Sequence, residues 1–226
     1  MGEIRFDGVH HAFGERPVLC GIDVTLTEHR VGVVGCNGSG KSTLARMING
    51  LQTPARGRVL VGGLDTARKA AAIRRRVGFV FTDPDNQIVM PTVAEDIAFS
   101  LRRSGLDKHA RRRKVDEVLD AFDLHDHADH PCHLLSGGQK QLLALAAVLV
   151  TEPDILVADE PTTLLDLRNA RRFAETLAGL RQQVVVVTHQ LELLADFDRV
   201  LVIDEGRIVA DDAPAPALRH YRGLVG

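Results

Sequence analysis

Cysteine is scarce. The 226 residues hold three, Cys20, Cys36 and Cys132, with no C-x-x-C pair among them. That suits a reducing compartment better than a disulfide framework. Long apolar runs are missing as well. The longest, Leu142–Val150, has nine residues, against the ~20 that a helix needs to cross a bilayer. The opening residues Met1 to Asp7 carry no apolar signal core. Neither sign of charge dominates: 28 Lys plus Arg stand against 30 Asp plus Glu, which excludes holding nucleic acid by bulk electrostatics. No Pro/Gly/Ser-rich linker and no internal repeat divides the chain. What remains is globular: 45% hydrophobic and 26% charged residues rule out disorder as the main state. The chain is expected to be cytoplasmic, with any membrane role reached through partners.

Phe13 to Leu26 reads as strands with turns at Gly14 to Pro17 and at Gly21, and Val31 to Val34 as a short apolar strand running into glycines. Lys41 to Asn49 reads as a helix with Gly50 at its C-terminal cap. Val77 to Phe81, Ile155–Ala158 and Val184–Val187 are apolar strands, bare of polar residues and so covered on both faces. Between them, Pro91 to Val150 turns helical, with Val115, Val118, Leu119 and Phe122 on one face. Leu167 to Leu180 is a further helix, and Val200 to Ala210 a closing hairpin around Glu205-Gly206. The outline is an α/β domain with a helical insertion of about sixty residues between two strands of a mainly parallel sheet.

Gly35-Cys36-Asn37-Gly38-Ser39-Gly40-Lys41-Ser42, followed by Thr43, fits G-x-x-x-x-G-K-[ST] between a strand and a helix. Glycines let backbone N–H groups turn inward around a polyphosphate, and the helix N-terminus adds positive potential. Lys41 is expected to reach the β- and γ-phosphates and Ser42 to hold Mg²⁺. Asp159, ending an apolar strand, is the expected Mg²⁺ partner, through water or directly. Glu160 beside it is placed to take the proton of an attacking water.

Leu135-Ser136-Gly137-Gly138-Gln139 sets two glycines before a helix, a second anion-binding nest. With these residues the chain resembles the ATP-binding-cassette ATPases over nearly its whole length. The resemblance implies a P-loop NTPase (RecA-like) fold: a mainly parallel sheet core with an antiparallel β part and an inserted helical subdomain. It implies one nucleotide-binding domain, 1–226, with 1–82 and 151–226 as core and 83–150 as the helical subdomain. It further implies ATP and Mg²⁺ as ligands and a head-to-tail dimer with a second copy. Ser136, Gly137, Gly138 and Gln139 of one copy close on the nucleotide held by the other. Asp166 matches the loop that crosses the dimer interface, and His189 the histidine that senses the γ-phosphate. Phe13 stands where an aromatic stacks on adenine; packing in the core is its other reading.

Pro84-Asp85-Asn86-Gln87-Ile88 resembles the short docking helix, P-[DE]-x-Q-apolar, of energy-coupling-factor transporter ATPases. Thr82-Asp83-Pro84-Asp85, the run from Lys140 to Ala147 and the stretch from Thr163 to Asn169 resemble the biotin transporters among them, with cobalt- and nickel-type relatives as the alternative. The resemblance implies a transmembrane T-component and a substrate-binding S-component as partners. It places the chain, as a peripheral subunit, at the cytoplasmic face of the inner membrane. The rival class is a soluble cassette ATPase acting on ribosomes or DNA. One departure stands out. Thr82 follows its strand where the family usually has a glutamine, and the next glutamine is Gln87. Thr82 is expected to hold a water of the Mg²⁺ shell, and Pro84 to hold Gln87 away from the strand end, facing the membrane partner; the alternative is a loop that folds back so that Gln87 reaches the metal itself. His125, His127, His130, Cys132 and His133 are ligand types without zinc spacing. Arg111 to Lys114 reads as the wet side of a helix. Cys36 is either a reactive thiol in an electropositive loop or an inert small residue.

Overall fold

The computed structural model describes residues 2–226. In chain order its elements are β1 Ile4–Phe13, β2 Arg16–Leu26, β3 Arg30–Gly35, α1 Lys41–Ile48, β4 Arg56–Val61, β5 Leu64–Asp65, α2 Ala70–Ile73, β6 Val77–Val80, α3 Val93–Ser100, α4 Lys108–Ala121, α5 Gly137–Leu149, β7 Ile155–Asp159, α6 Leu167–Ala178, β8 Gln183–Val187, β9 Arg199–Asp204, β10 Arg207–Asp212 and α7 Pro214–Val225. The chain divides into two compact units. One comprises the residues to Phe79, Asp154–Glu160 and Gly179–Gly226; the other comprises Val80–Pro153 and Pro161–Ala178.

A six-stranded sheet in the order β10-β9-β3-β8-β7-β6 carries the phosphate loop. β3 pairs parallel with β8 and β9, and β7 pairs parallel with β8. β7 and β8 are buried along their whole length, which is why they are written almost without polar side chains. β9 and β10 form the antiparallel hairpin expected from the turn at Glu205-Gly206. α1 packs against β3, β7 and β8, and α7 against β9, β10 and β3.

A second sheet, β2-β1-β4-β5, is antiparallel. Its β1 starts at Ile4, nine residues before the first strand position read from the sequence. The alternation is concealed by a bulge: the register shifts between Phe6 and Val9, and Gly8 sits at φ 57. Hydrogen bonds from Cys20 N–H to Gly206 O (2.8 Å) and from Arg207 Nη1 to Cys20 O (3.2 Å) tie this sheet to the hairpin of the first.

The second unit is helical. α4 buries Val115 and Leu119 and turns its charged residues outward, with Asp107 capping it by accepting from the Ala110 N–H at 2.8 Å. α5 is apolar on every side from Leu142 on, and buries each residue from Gln141 to Ala147. α7 went unread in the sequence because Pro214 and Pro216 stand in its first turn, where proline is tolerated.

Candidate functional site

Residues of the first unit build a cavity of about 350 Å³ over the phosphate loop. Phe13, Arg16, Val18, Asn37, Gly38, Gly40, Lys41, Ser42, Thr43 and Glu160 line it. The loop admits only glycine at its start: a Cβ on Gly35 would lie 2.0 Å from the Ile203 carbonyl oxygen and 2.7 Å from Ser39 Oγ. Lys41 is buried, and its ammonium donates to the carbonyls of Gly35 (2.8 Å) and Cys36 (2.9 Å). Burial pushes its pKa below the usual value, while the nearby Glu160 pulls the other way.

Asp159 ends β7 with 1% exposure. Its Oδ1 accepts from Ser42 Oγ at 2.8 Å, and its Oδ2 lies 3.5 Å from Arg46 Nη2. Burial raises its pKa above the ordinary carboxylate value, opposed by the Ser42 hydrogen bond and the Arg46 charge. A deep carboxylate against a hydroxyl is an all-oxygen donor pair, which fits a hard cation such as Mg²⁺.

Glu160 follows at φ 51, a left-handed backbone uncommon for a residue with a Cβ. Its N–H donates to Val187 O at 2.8 Å, which holds that conformation in place. Its Oε2 meets His189 Nδ1 at 2.7 Å and accepts from the His189 N–H at 3.3 Å. The base and the sensing histidine named from the sequence are thus one hydrogen-bonded pair. Phe13 is 56% exposed and touches the His11 ring edge-on, 4.9 Å between centroids. It is therefore not a core residue.

The remaining site residues gather in the second unit. Ser136 caps α5 by accepting from the Gln139 N–H at 3.3 Å, and Gln139 Oε1 accepts from the Ser136 N–H at 2.9 Å. Gly138 packs against the side chain of Asn169 in α6: a Cβ there would lie 2.4 Å from Asn169 Cγ and would displace that carboxamide. Asp166 caps α6, accepting from the Asn169 N–H at 2.8 Å and from Asn169 Nδ2 at 3.1 Å.

Gln87 is not where the sequence reading put it. The loop after β6 turns through a 3-10 helix, Pro84–Asn86, and folds back. Gln87 Oε1 accepts from the Phe81 N–H at 3.1 Å, at the strand end, and its Nε2 donates to Ala144 O of α5 at 3.1 Å. Pro84 starts the turn that returns the chain instead of keeping it away. Asp85, in the same turn, pairs with Lys140 of α5 at 2.7 Å.

Three residues of the first site escaped the sequence. Arg16 is cross-strand partner to Phe13 and so shares its face. Its Nη2 lies 3.4 Å from where a Cβ on Gly38 would be, and the pairing Phe13–Gly14–Glu15–Arg16 across a tight turn was the available signal. Val18 and Arg46 carried no such signal. Among the described residues no group of three or more His, Cys, Asp or Glu is placed to hold a metal ion; the histidine-rich stretch forms two 3-10 turns, His125–His127 and Cys132–Leu134.

A phosphate-loop lysine after β3, a buried carboxylate ending β7 on the far side of β8, and a Glu–His pair whose glutamate lines the cavity match one family. The profile described as ABC transporter matches residues 20–163. The chain belongs to the ABC transporter family. It is an ABC-type ATPase. It is 53% identical over 98% of both chains to a putative ABC transporter ATP-binding protein of Bartonella quintana. It is 47% identical over 98% of both chains to the biotin transport ATP-binding protein BioM of Rhizobium etli. A cobalt import ATP-binding protein, CbiO of Syntrophus aciditrophicus, is 42% identical over 95% of this chain and 79% of its own. Among solved structures, cbiO1 of Clostridium perfringens, part of the ABC transporter complex cbiONQ, superposes with a TM-score of 0.85 at 29% identity, over 98% of this chain and 92% of that one. In this ABC ATPase no helix among the described residues is long and apolar enough to cross a membrane.

Proposed function

We propose that this ABC ATPase is the energy-coupling subunit of an importer of the energy-coupling-factor type, with biotin as cargo. The observation that carries the ATPase chemistry is the Glu160–His189 pair, whose glutamate lines the same cavity as Lys41 and Ser42. ATP enters with its phosphates against the loop N–H groups, Asn37, Lys41, Ser42 and Thr43, and its adenine against Phe13. Ser42 and Asp159 would hold Mg²⁺, which when bound supplies charge neutralisation on the phosphates. Glu160 Oε2 takes a proton from water as its oxygen bonds to the γ-phosphorus and the bond to ADP breaks. His189 orients that carboxylate through Nδ1. Ser136 and Gly138 of a second copy complete the site, giving two equal sites in a homodimer. The cargo reading is supported by the likeness to BioM, and partners are a transmembrane T-component and a substrate-binding S-component at the inner face of the membrane.

The test has two arms. Glu160→Gln is expected to bind ATP, stay closed as a dimer and lose turnover by about 10²-fold or more, the size of a general-base contribution. Near-normal hydrolysis removes Glu160 from the role of base. Cells carrying only the Glu160→Gln copy are expected to lose uptake of labelled biotin. Loss of cobalt or nickel uptake instead selects the metal-importer reading. Unchanged uptake of all three, with the protein on ribosomes or DNA, selects the soluble class.

A further inference from the structure

Gln139 has a single orientation that its neighbours allow. Its Oε1 is taken by the Ser136 N–H at 2.9 Å, so its NH₂ is the end that meets His127 Nε2 at 2.8 Å. An amide NH₂ only donates. His127 Nε2 must therefore be bare, with the ring proton on Nδ1. That proton faces His130 Nδ1 at 2.8 Å, which accepts it and leaves the His130 proton on Nε2. One arrangement of protons satisfies every contact from His130 to Ser136. His125, the other histidine of the same turn, is paired with Asp120 at 2.7 Å and does not compete.

The capping box of α5 hangs on this chain. The bond from the Gln139 N–H to Ser136 Oγ is long, 3.3 Å, so the serine hydroxyl is weakly held by the backbone alone. The other half of the box is the Gln139 side chain, and His127 holds its far end. We propose that His127 is a positioning residue for the ATPase reaction: its bare Nε2 fixes the Gln139 carboxamide, and so fixes the geometry in which Ser136 is presented to the nucleotide of a second copy. The assignment rests on the two-copy site proposed above. It names a residue nine positions before Ser136, outside the Leu135–Gln139 motif.

His127→Phe keeps the ring volume and removes the acceptor. His127→Gln restores an acceptor, its Oε1, near the place of Nε2. Each is made in the wild-type protein for steady-state hydrolysis and in the Glu160→Gln protein for ATP-driven dimerisation by size exclusion. His127→Phe is expected to lower kcat about five-fold, the worth of one ordinary hydrogen bond, and to reduce the dimer fraction. Its Kd for ATP as a monomer should be unchanged, and its Tm should fall by no more than about 2–4 °C, the worth of one hydrogen bond. His127→Gln is expected to recover most of both losses. A His127→Phe protein that dimerises and hydrolyses as its parent does overturns the proposal. So does an equal loss in both variants accompanied by a larger fall in Tm, which marks a packing role. If the parent Glu160→Gln protein binds ATP without dimerising, the two-copy reading itself falls, and the proposal falls with it.

Discussion

At Asp159 the proposed metal-holding role and the stability of the fold pull in opposite directions. Its carboxylate is buried beneath the phosphate loop, with the Ser42 hydroxyl and the half-exposed Arg46 among the groups in reach. Burial has raised its pKa, so its charged form is disfavoured by the fold. The sign follows: the penalty is absent when the group is protonated in both states. It appears above the unfolded carboxylate pKa and grows as pH rises through the raised folded value. Asp159→Asn keeps an acceptor for Ser42 and removes the charge. The relief of desolvation is worth about 1–3 kcal/mol, against which the lost Arg46 pair, largely solvent-screened, counts at most about 1 kcal/mol. The nucleotide-free variant is thus expected to be more stable by about 1 kcal/mol, a rise of roughly 2–4 °C in Tm for a chain of this size. Saturating Mg-ATP reverses the order. At 100 times Kd it stabilises wild type by about 2.7 kcal/mol, and the variant, lacking the carboxylate for the metal, gains less. Scanning calorimetry with and without Mg-ATP at pH 7.5 reads both, and repeating the nucleotide-free scan toward pH 4 should close the gap. A nucleotide-free Asp159→Asn protein less stable than wild type means that the carboxylate is net stabilising. An equal Mg-ATP shift in both proteins removes Asp159 from the metal.

Gln87→Ala strips acceptor and donor from the Phe81 N–H and the Ala144 carbonyl. It should cost about 1–2 kcal/mol, loosen the Pro84–Asn86 turn from α5 and lower uptake, with ATP affinity unchanged; a variant with wild-type uptake and Tm shows that the clamp does nothing. Arg16→Ala should weaken ATP about three- to ten-fold by calorimetric titration, one exposed charge-assisted contact being lost, whereas identical Kd values leave Arg16 a bystander. Cys36 is the one exposed thiol, Cys132 being buried with its pKa raised by burial. Maleimide should therefore label Cys36 first and block hydrolysis, with ATP protecting; full activity after stoichiometric labelling ends that idea.

The sequence by itself determined what is local. The phosphate loop was legible because inward-turned amides need glycine at fixed intervals, and Gly35 proves sterically obligatory. β7 and β8 were legible because strands covered on both faces hold almost no polar residues. Gly137 and Gly138 were read as standing before a helix; they form its first turn, behind a capping box of Ser136 and Gln139 that the sequence reading did not name. Tertiary structure alone decided what lies across the chain. The bulge at Gly8 shifts the period of β1, so the first strand was missed until its partner β2 showed the register. Gln87 was misplaced because a proline says that the chain turns, not which way, and only α5 supplies the carbonyl that draws the side chain inward. Glu160 and His189 lie 29 residues apart and meet because β7 and β8 are parallel neighbours whose ends align. His127 is silent for the same reason. A donor or acceptor shows in the sequence, but the atom that satisfies it is chosen by packing, and packing is non-local.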